Sequence, residues 1–345
     1  MTWRMPAERV AQERVWMAYP APGYSLGDTE AEQDEARRTW AAVAHAIVGF
    51  EPVTVIVDPG EIAAARRHLS SEIEIVEAPL NDAWARDIGP TFVVDEGGRL
   101  GAVDWVFNGW GAAEWARWDR DERIASLIAG LCGAELIDSP MINEGGGIQV
   151  DGEGTVLLTE SVQLGEGRNS AWTRAQVEAE LARTIGSTHA VWLPYGLTRD
   201  NEMFGTRGHV DIVAAIPSPG VVLVHAQGDP GHPDHAVSAT VREVFASSTD
   251  AAGRAWQIID VPAPAVLRDD EGFVDYSYIN HLVVNDAVIA CSFDDPGDDT
   301  ALGILGDAYP GRRVVSVDAR PLFARGGGIH CITCQQPVAA VQPVL

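Results

Sequence analysis

Five times along this chain a polar or glycine-rich motif runs into an apolar strand, a tight turn and usually a second strand. That recurrence limits the fold more than any other feature. The first unit is Trp84 to Pro90, then Thr91 to Val94, the turn Asp95-Glu96-Gly97-Gly98, and Gly101 to Phe107. The second is Glu144-Gly145-Gly146-Gly147, Ile148 to Val150, the turn Asp151 to Gly154, and Thr155 to Thr159. The third is Gly208-His209-Val210-Asp211, Ile212 to Ile216, Pro217-Ser218-Pro219-Gly220, and Val221 to His225. The fourth is Tyr276 to Asn280, a turn near Asn285-Asp286, and Val288 to Phe293. The fifth, Gly326 to Thr333 running on to Val344, carries the weakest pattern.

Asp-Gly and Pro-Gly turns between apolar runs signal hairpins, because they supply the backbone angles that tight connections need. A unit of roughly fifty to seventy residues, repeated five times, fits a closed radial array whose like strands face a common axis. Helices fall between the hairpins and outside them. Glu30 to Phe50 reads as one, and Thr173 to Ile185 as another. In the second, Thr173 and Gln176 stand in capping-box positions, Val177, Leu181 and Ile185 form the apolar row, and Gly186 is a stop. Val53 to Val57 and Ile73 to Val76 read as further strands. No linker divides the 345 residues, so a single α/β domain over 1–345 is expected.

Charge narrows the partners. The formal net charge is −26, from 50 acidic against 24 basic residues, which excludes the basic footprint of a nucleic-acid binder. It would concentrate a small cation, although acidic surfaces also serve plain solubility. All 24 basic residues are arginine, so no Walker-type lysine and no Schiff-base lysine exist. No apolar run of about twenty residues suggests a membrane span. Few cysteines and no apolar leader at Met1 to Pro6 point to the cytoplasm.

The reactive side chains occupy matching places in their units: Asp87, Glu144, His209 with Asp211, and Cys331. Taken singly, each has an ordinary reading. Asp87 could pair with Arg86, Glu144 could be a solvated loop residue, and Cys331 could be a buried small hydrophobe. His209 and Asp211 read as alternate residues on one strand face. Taken together they suit a guanidinium group. Carboxylates accept its planar N–H donors in bidentate fashion, a thiolate can add to its carbon, and an imidazole can move the protons. The glycines before Cys331 let backbone and substrate approach closely.

These motifs carry a resemblance. Asn81 to Thr91, Asp104 to Gly111, Glu144-Gly145-Gly146, Gly208 to Asp211 and Gly328 to Thr333 resemble the agmatine deiminase family, the porphyromonas-type peptidylarginine deiminases. Met5 to Glu8 and Trp16 to Pro20 resemble its N-terminal block. The resemblance implies the pentein fold, a five-bladed α/β propeller of ββαβ units with the site on a pseudo-fivefold axis. It implies Cys331 as nucleophile through an amidino-cysteine, His209 as general acid and base, and Asp87 and Asp211 as guanidinium clamps with Glu144 as a third partner. Trp84, Trp110 and Gly328 are expected against the substrate. No metal or organic cofactor is implied, the partner is a small cationic guanidino compound, and a homo-oligomer is left open.

Three departures bear on the substrate. The loop Asp200 to Arg207 is longer than the family's, Ile212 replaces an Asn, and Cys334 replaces a Gln. Agmatine leads, ahead of other guanidino substrates and of dihydrolase or amidinotransferase chemistry. Arg207 could face a substrate carboxylate or pair with an acidic residue. Competing readings are a redox Cys331-x-x-Cys334 pair, a Cys–His protease, a zinc site on Cys331, Cys334 and His330, and a non-catalytic propeller.

Overall fold

The motif-led segments become five separate sheets. The computed structural model describes residues 2–202 and 204–339. In the first sheet Thr91–Asp95 runs antiparallel to Leu100–Val106, with Thr91 opposite Val103. Helix Ile124–Cys132 then crosses over, and Glu135–Ile142 lies parallel to the second strand. A hairpin followed by a helical crossover gives a ββαβ unit, since parallel neighbours need a long connection.

The same order recurs. The second unit has strands Ile148–Val150, Thr155–Thr159 and His189–Leu193 with helix Arg174–Ile185. The third has Ala214–Ser218, Val221–Ala226 and Gln257–Pro262 with helix Asp234–Ser247. The fourth has Leu282–Val283, Ala287–Ser292 and Arg313–Asp318 with helix Asp298–Ala308. The fifth is shared between distant parts of the chain. Its strand Thr333–Pro337 pairs antiparallel with Gln12–Ala18, which is followed by helix Glu30–Val48 and the parallel strands Val53–Val57 and Glu74–Glu77. The architecture is the expected five-bladed α/β propeller.

Local chemistry explains the elements. Thr29 caps the Glu30–Val48 helix and Glu32 reciprocates, while Ala36, Trp40, Val43, Ala44 and Ile47 form its buried stripe. Thr173 and Gln176 make the second capping box, and Gly186 ends that helix at φ +70. Val53–Val57 is buried throughout, because parallel strands flank it on both sides and helices cover it. Val156, Leu158, Val177, Leu181 and Ile185 join Val93 and Val103 in one core spanning the first two blades. No described helix is long and apolar enough to cross a membrane.

Four sequence expectations shift. The Ile73 to Val76 strand moves one residue, to Glu74–Glu77, and the first long helix ends at Val48 rather than Phe50. In the third unit Val210–Ile212 forms a 3₁₀ turn, so the strand starts only at Ala214. His209 and Asp211 therefore do not share a strand face. In the fourth unit Tyr276 to Asn280 is turn, with its chain held by Ser277 and Asn280 hydrogen bonds instead of a ladder. The fifth strand ends at Pro337, and the expected continuation to Val344 passes outside the described residues.

Candidate active site

Every blade is preceded by its motif, and the motifs end at one place. Asp87 lies on the short helix Ala85–Ile88 leading into the first blade. Glu144 stands before the 3₁₀ turn Gly145–Gly147, and His209 and Asp211 flank the start of the turn Val210–Ile212. Asn280 precedes the fourth blade and Cys331 the closing strand of the fifth. All six are buried, with exposures from 0 to 6%.

Gly146 reports how tightly they meet. A Cβ there would lie 2.6 Å from His209 Nδ1, 3.0 Å from Asp87 Oδ1 and 3.1 Å from Asp211 Oδ2. One missing methyl thus lets three motifs share a point.

Hydrogen bonds fix each group. Asp87 accepts from Trp110 Nε1 at 2.8 Å and from the Gly146 N–H at 3.2 Å. His209 Nε2 lies 3.3 Å from Glu144 Oε2, and its Nδ1 lies 3.8 Å from Asp87 Oδ1. Asp211 Oδ2 is 2.8 Å from His330 Nδ1 and 3.6 Å from Cys331 Sγ. Two buried atoms, His209 Nδ1 and Asp211 Oδ1, have no hydrogen-bond partner among the described residues. Buried polar atoms normally find partners, so these mark positions where a ligand's donors and acceptors fit.

Glu144 is tied to a buried arginine. Arg168 Nε donates to both its oxygens, at 3.1 and 3.0 Å, and both side chains are wholly buried. The same carboxylate lies beside the His209 imidazole. Asp87 does not pair with its neighbour Arg86, whose Nη2 donates to Gln335 at 2.6 Å and whose Nε donates to the His330 carbonyl.

Charges follow from these contacts. Burial alone would lower the His209 pKa, but Asp87, Glu144 and Asp211 outweigh it and push it up to about 9. Burial raises Asp87 to about 6, with Glu144 and Asp211 adding to the rise against His209 and the Trp110 N–H. Burial opposes ionisation of Asp211 as well, yet the His330 hydrogen bond and nearby cations hold it below the usual range. Glu144 is lowered in the same manner, burial being outweighed by Arg168 and His209. Burial, then Asp211 and Asp87, push the Cys331 thiol well above its usual value. The thiol therefore keeps its proton until a cation offsets those carboxylates.

A tight cleft lined by Trp84, Asp87, Trp110, Trp115 and Phe204 includes Cys331 in its wall. Trp84 and Trp110 stand where they were expected. Trp110 belongs to a left-handed turn, Gly109-Trp110-Gly111-Ala112, with φ of 69, 56, 85 and 57°. Left-handed angles cost a non-glycine residue about 1–2 kcal/mol. Here the indole N–H gains Asp87, the ring stacks on Trp115 with centroids 5.2 Å apart, and Asn108 Oδ1 accepts from the Gly111 N–H. Gly328 does not line the cleft; Gly326 does. A Cβ on Gly328 would meet Asn280 Oδ1 at 2.5 Å, so that glycine makes room for Asn280.

Four residues had no part in the expected guanidine chemistry, His330 having been read only as a candidate zinc ligand. Asn280 Nδ2 lies 3.2 Å from Cys331 Sγ, and its Oδ1 accepts from the backbone N–H of His330 and Cys331. Arg168 anchors Glu144. Glu8 and His330 form a chain beneath Asp211, with Glu8 Oε1 2.7 Å from His330 Nε2. Burial works against ionised Glu8, but His330 and Arg86 bring it down to about 2. The quoted motifs held Glu8, Asn280 and His330, yet nothing local distinguished their roles.

The redox pair and the zinc site lose their geometry. Cys334 Sγ faces the Pro90 carbonyl at 3.3 Å while Cys331 faces Asn280 and Asp211, so the two thiols point at different partners. His330 spends both ring nitrogens on Asp211 and Glu8. Among the described residues no cluster of His, Cys, Asp and Glu could hold a metal.

Residues 4–337 match the Porphyromonas-type peptidyl-arginine deiminase family. The chain belongs to that family. Among its relatives in the deiminase family, a Streptomyces coelicolor protein is 55% identical over 98% of this chain and 99% of its own. The agmatine deiminase of Pseudomonas fluorescens is 38% identical over 97% of this chain and 95% of its own. Among solved deiminase structures, agmatine deiminase of Enterococcus faecalis aligns with a TM-score of 0.90 at 32% identity, covering 97% and 96% of the two chains. Membership in the deiminase family accounts for the pentein architecture and for guanidine chemistry at the shared site.

Proposed function

We propose that this protein hydrolyses agmatine to N-carbamoylputrescine and ammonia. One observation carries the reading: an imidazole and two carboxylates meet around Gly146, with a thiol beside one of them, so that three different motifs converge in a buried site. Relatives with the name agmatine deiminase, matched over nearly their whole length, supply the substrate.

Asp87 and Asp211 hold the guanidinium through its paired N–H donors. Its positive charge offsets both carboxylates, so Cys331 gives up its proton to solvent on binding and the thiolate adds to the central carbon. The imidazolium of His209 gives a proton to one terminal nitrogen, the C–N bond breaks, and ammonia leaves an amidino-cysteine. His209, now neutral, takes a proton from water as that water adds to the same carbon. The C–S bond then breaks, and Cys331 departs as thiolate. Glu144 keeps the imidazole oriented and Asn280 steadies the sulfur. Trp84 and Trp110 form the walls. The residues need no metal or organic group for any of these steps. Four cysteines without disulfides suit a reducing compartment, so we place the reaction in the cytoplasm.

The test is direct. Incubate the protein with agmatine, arginine, a blocked C-terminal-arginine peptide and small guanidino acids, and measure ammonia and ureido product. Agmatine should be the best substrate. Absence of product from every compound, with Cys331 reduced, overturns the reading. Release of urea or alkyl amine reassigns the reaction to a dihydrolase or an amidinotransferase.

A further inference from the structure

Next to the reaction-centre cleft lies a second space of about 190 Å³, and the two share Phe204, Gly205 and Gly326 in their walls. Aromatic side chains of Tyr24, Phe273 and Phe323 border it, together with four carboxylates and one arginine. Most of those charges are committed elsewhere. Arg199 pairs with Asp269 at 2.6 Å and with Glu271 at 2.7 Å. Asp200 accepts from Thr206 N and Oγ1 and from the N–H groups of Gly208 and His209.

Asp275 is different. It is 7% exposed, lines the space, and no other residue among those described donates a hydrogen bond to its carboxylate. A carboxylate buried like this is costly unless a cation reaches it. Burial, and then Asp200, push it up to about 7, against the attraction of Arg199, whose hydrogen bonds go to Asp269 and Glu271 instead. Glu202 lies exposed on the same space, also without a side-chain partner among the described residues.

We propose that Asp275, assisted by Glu202 at the rim, holds a second positive charge on the substrate, so the protein selects guanidines with a cationic tail. The inference rests on the deiminase reading and adds the residue that sets tail selectivity. It places that residue on the connection between the third and fourth blades, outside the altered loop before His209. Aromatic walls suit the methylene chain between the two charges, and ammonium gains further from ring faces.

The test compares wild type, Asp275→Asn and Glu202→Gln on agmatine, n-butylguanidine and 4-guanidinobutyrate, with thermal unfolding of each variant. Wild type should favour agmatine over n-butylguanidine by on the order of 100-fold in kcat/KM, and turn over 4-guanidinobutyrate least. Asp275→Asn should lose on the order of 10- to 100-fold on agmatine, chiefly in KM, and change n-butylguanidine by less than about threefold. Glu202→Gln should show the same pattern at a few-fold, as an exposed charge does. Equal losses on both guanidines would make Asp275 merely structural and overturn the inference. A wild type indifferent to the tail would overturn it too, while leaving deimination intact. Turnover of none of the three would sink the deiminase reading and this inference together.

Discussion

The two ends of the substrate site are built in opposite ways. At the reaction end, side chains from every motif are buried and cross-tied: Arg168 to Glu144 to His209, Trp110 to Asp87, Asn280 to Cys331, Glu8 to His330 to Asp211. At the tail end, the loop 199–207 holds Phe204 and Arg207 at φ of 79 and 71°. Its outer ties are the Arg199 ion pairs, one with a Glu271 side chain that is 76% exposed. Among the described residues Arg207 pairs with no acid and lines neither space; its Nη1 donates to the Glu166 carbonyl at 2.7 Å. Buried, mutually satisfied groups tolerate little change, whereas exposed pairs contribute about 0–1 kcal/mol and can be exchanged. Chemistry is thereby fixed at one end, while substrate choice can drift at the other.

Substitutions should separate the two ends by size of effect. Cys331→Ser should lower kcat by about 10⁴-fold or more, since a hydroxyl is a far weaker nucleophile at neutral pH. Ammonia release measures it, and an unfolding midpoint close to wild type shows that chemistry alone was lost. Glu144→Gln should reduce kcat on the order of 10²- to 10³-fold by freeing the imidazole. It should also cost about 3–5 kcal/mol in denaturant unfolding, because Arg168 is left as a buried cation without its anion. Loss of activity at unchanged stability would refute the cross-tied view of this end.

A pH profile of kcat/KM sharpens the same contrast. Below about 6, Asp87 becomes a neutral acid and gives up its pairing with the guanidinium, so activity falls as pH drops. Above about 9, His209 loses the proton it must donate to ammonia, so activity falls as pH rises. Trp110→Phe removes the N–H that favours ionised Asp87, and should move the acidic limb upward while leaving the basic one in place. A flat profile between 5 and 10, which are about one unit outside those limbs, would contradict both assignments. The smallest effect belongs to the tail end. Phe204→Ala, at a side chain stacked on Tyr24 with centroids 4.4 Å apart, should raise KM only a few-fold and cost about 1 kcal/mol of stability or less. A loss comparable to that of Glu144→Gln would erase the distinction.

What could be read beforehand was whatever had a local cause. Asp95 to Gly98 and Pro219-Gly220 announced hairpins because turn geometry is set by adjacent residues. Thr29 with Glu32 and Thr173 with Gln176 announced helix starts for the same reason. Cys331, His209, Asp87 and Asp211 stood out because each occupies the same place in a repeated unit, while the roles proposed for them came from the resemblance. Asn280 did not stand out, because its unit there forms a turn instead of a ladder and its partner Cys331 is 51 residues away. Arg168 was missed since its tie to Glu144 spans 24 residues with no motif of its own. The third-partner role for Glu144 came from the resemblance, which said nothing of the Arg168 guanidinium that holds both its oxygens. His209 and Asp211 were placed on a strand by apolar pattern, whereas the buried turn makes Val210 and Ile212 apolar for a different reason.

The sharing of the fifth blade has a consequence for how the molecule comes into being. Four blades, and most of the last, are spelled out by the chain before Cys331 leaves the ribosome. Only then can Thr333–Pro337 find Gln12–Ala18, the earliest long strand, and seat the thiol beside Asn280 and Asp211. Pairing across such a sequence distance is slow, which favours a late closure. Until that strand pairs, nothing seats Cys331 beside Asn280 and Asp211. Turnover becomes a certificate that the ring has shut.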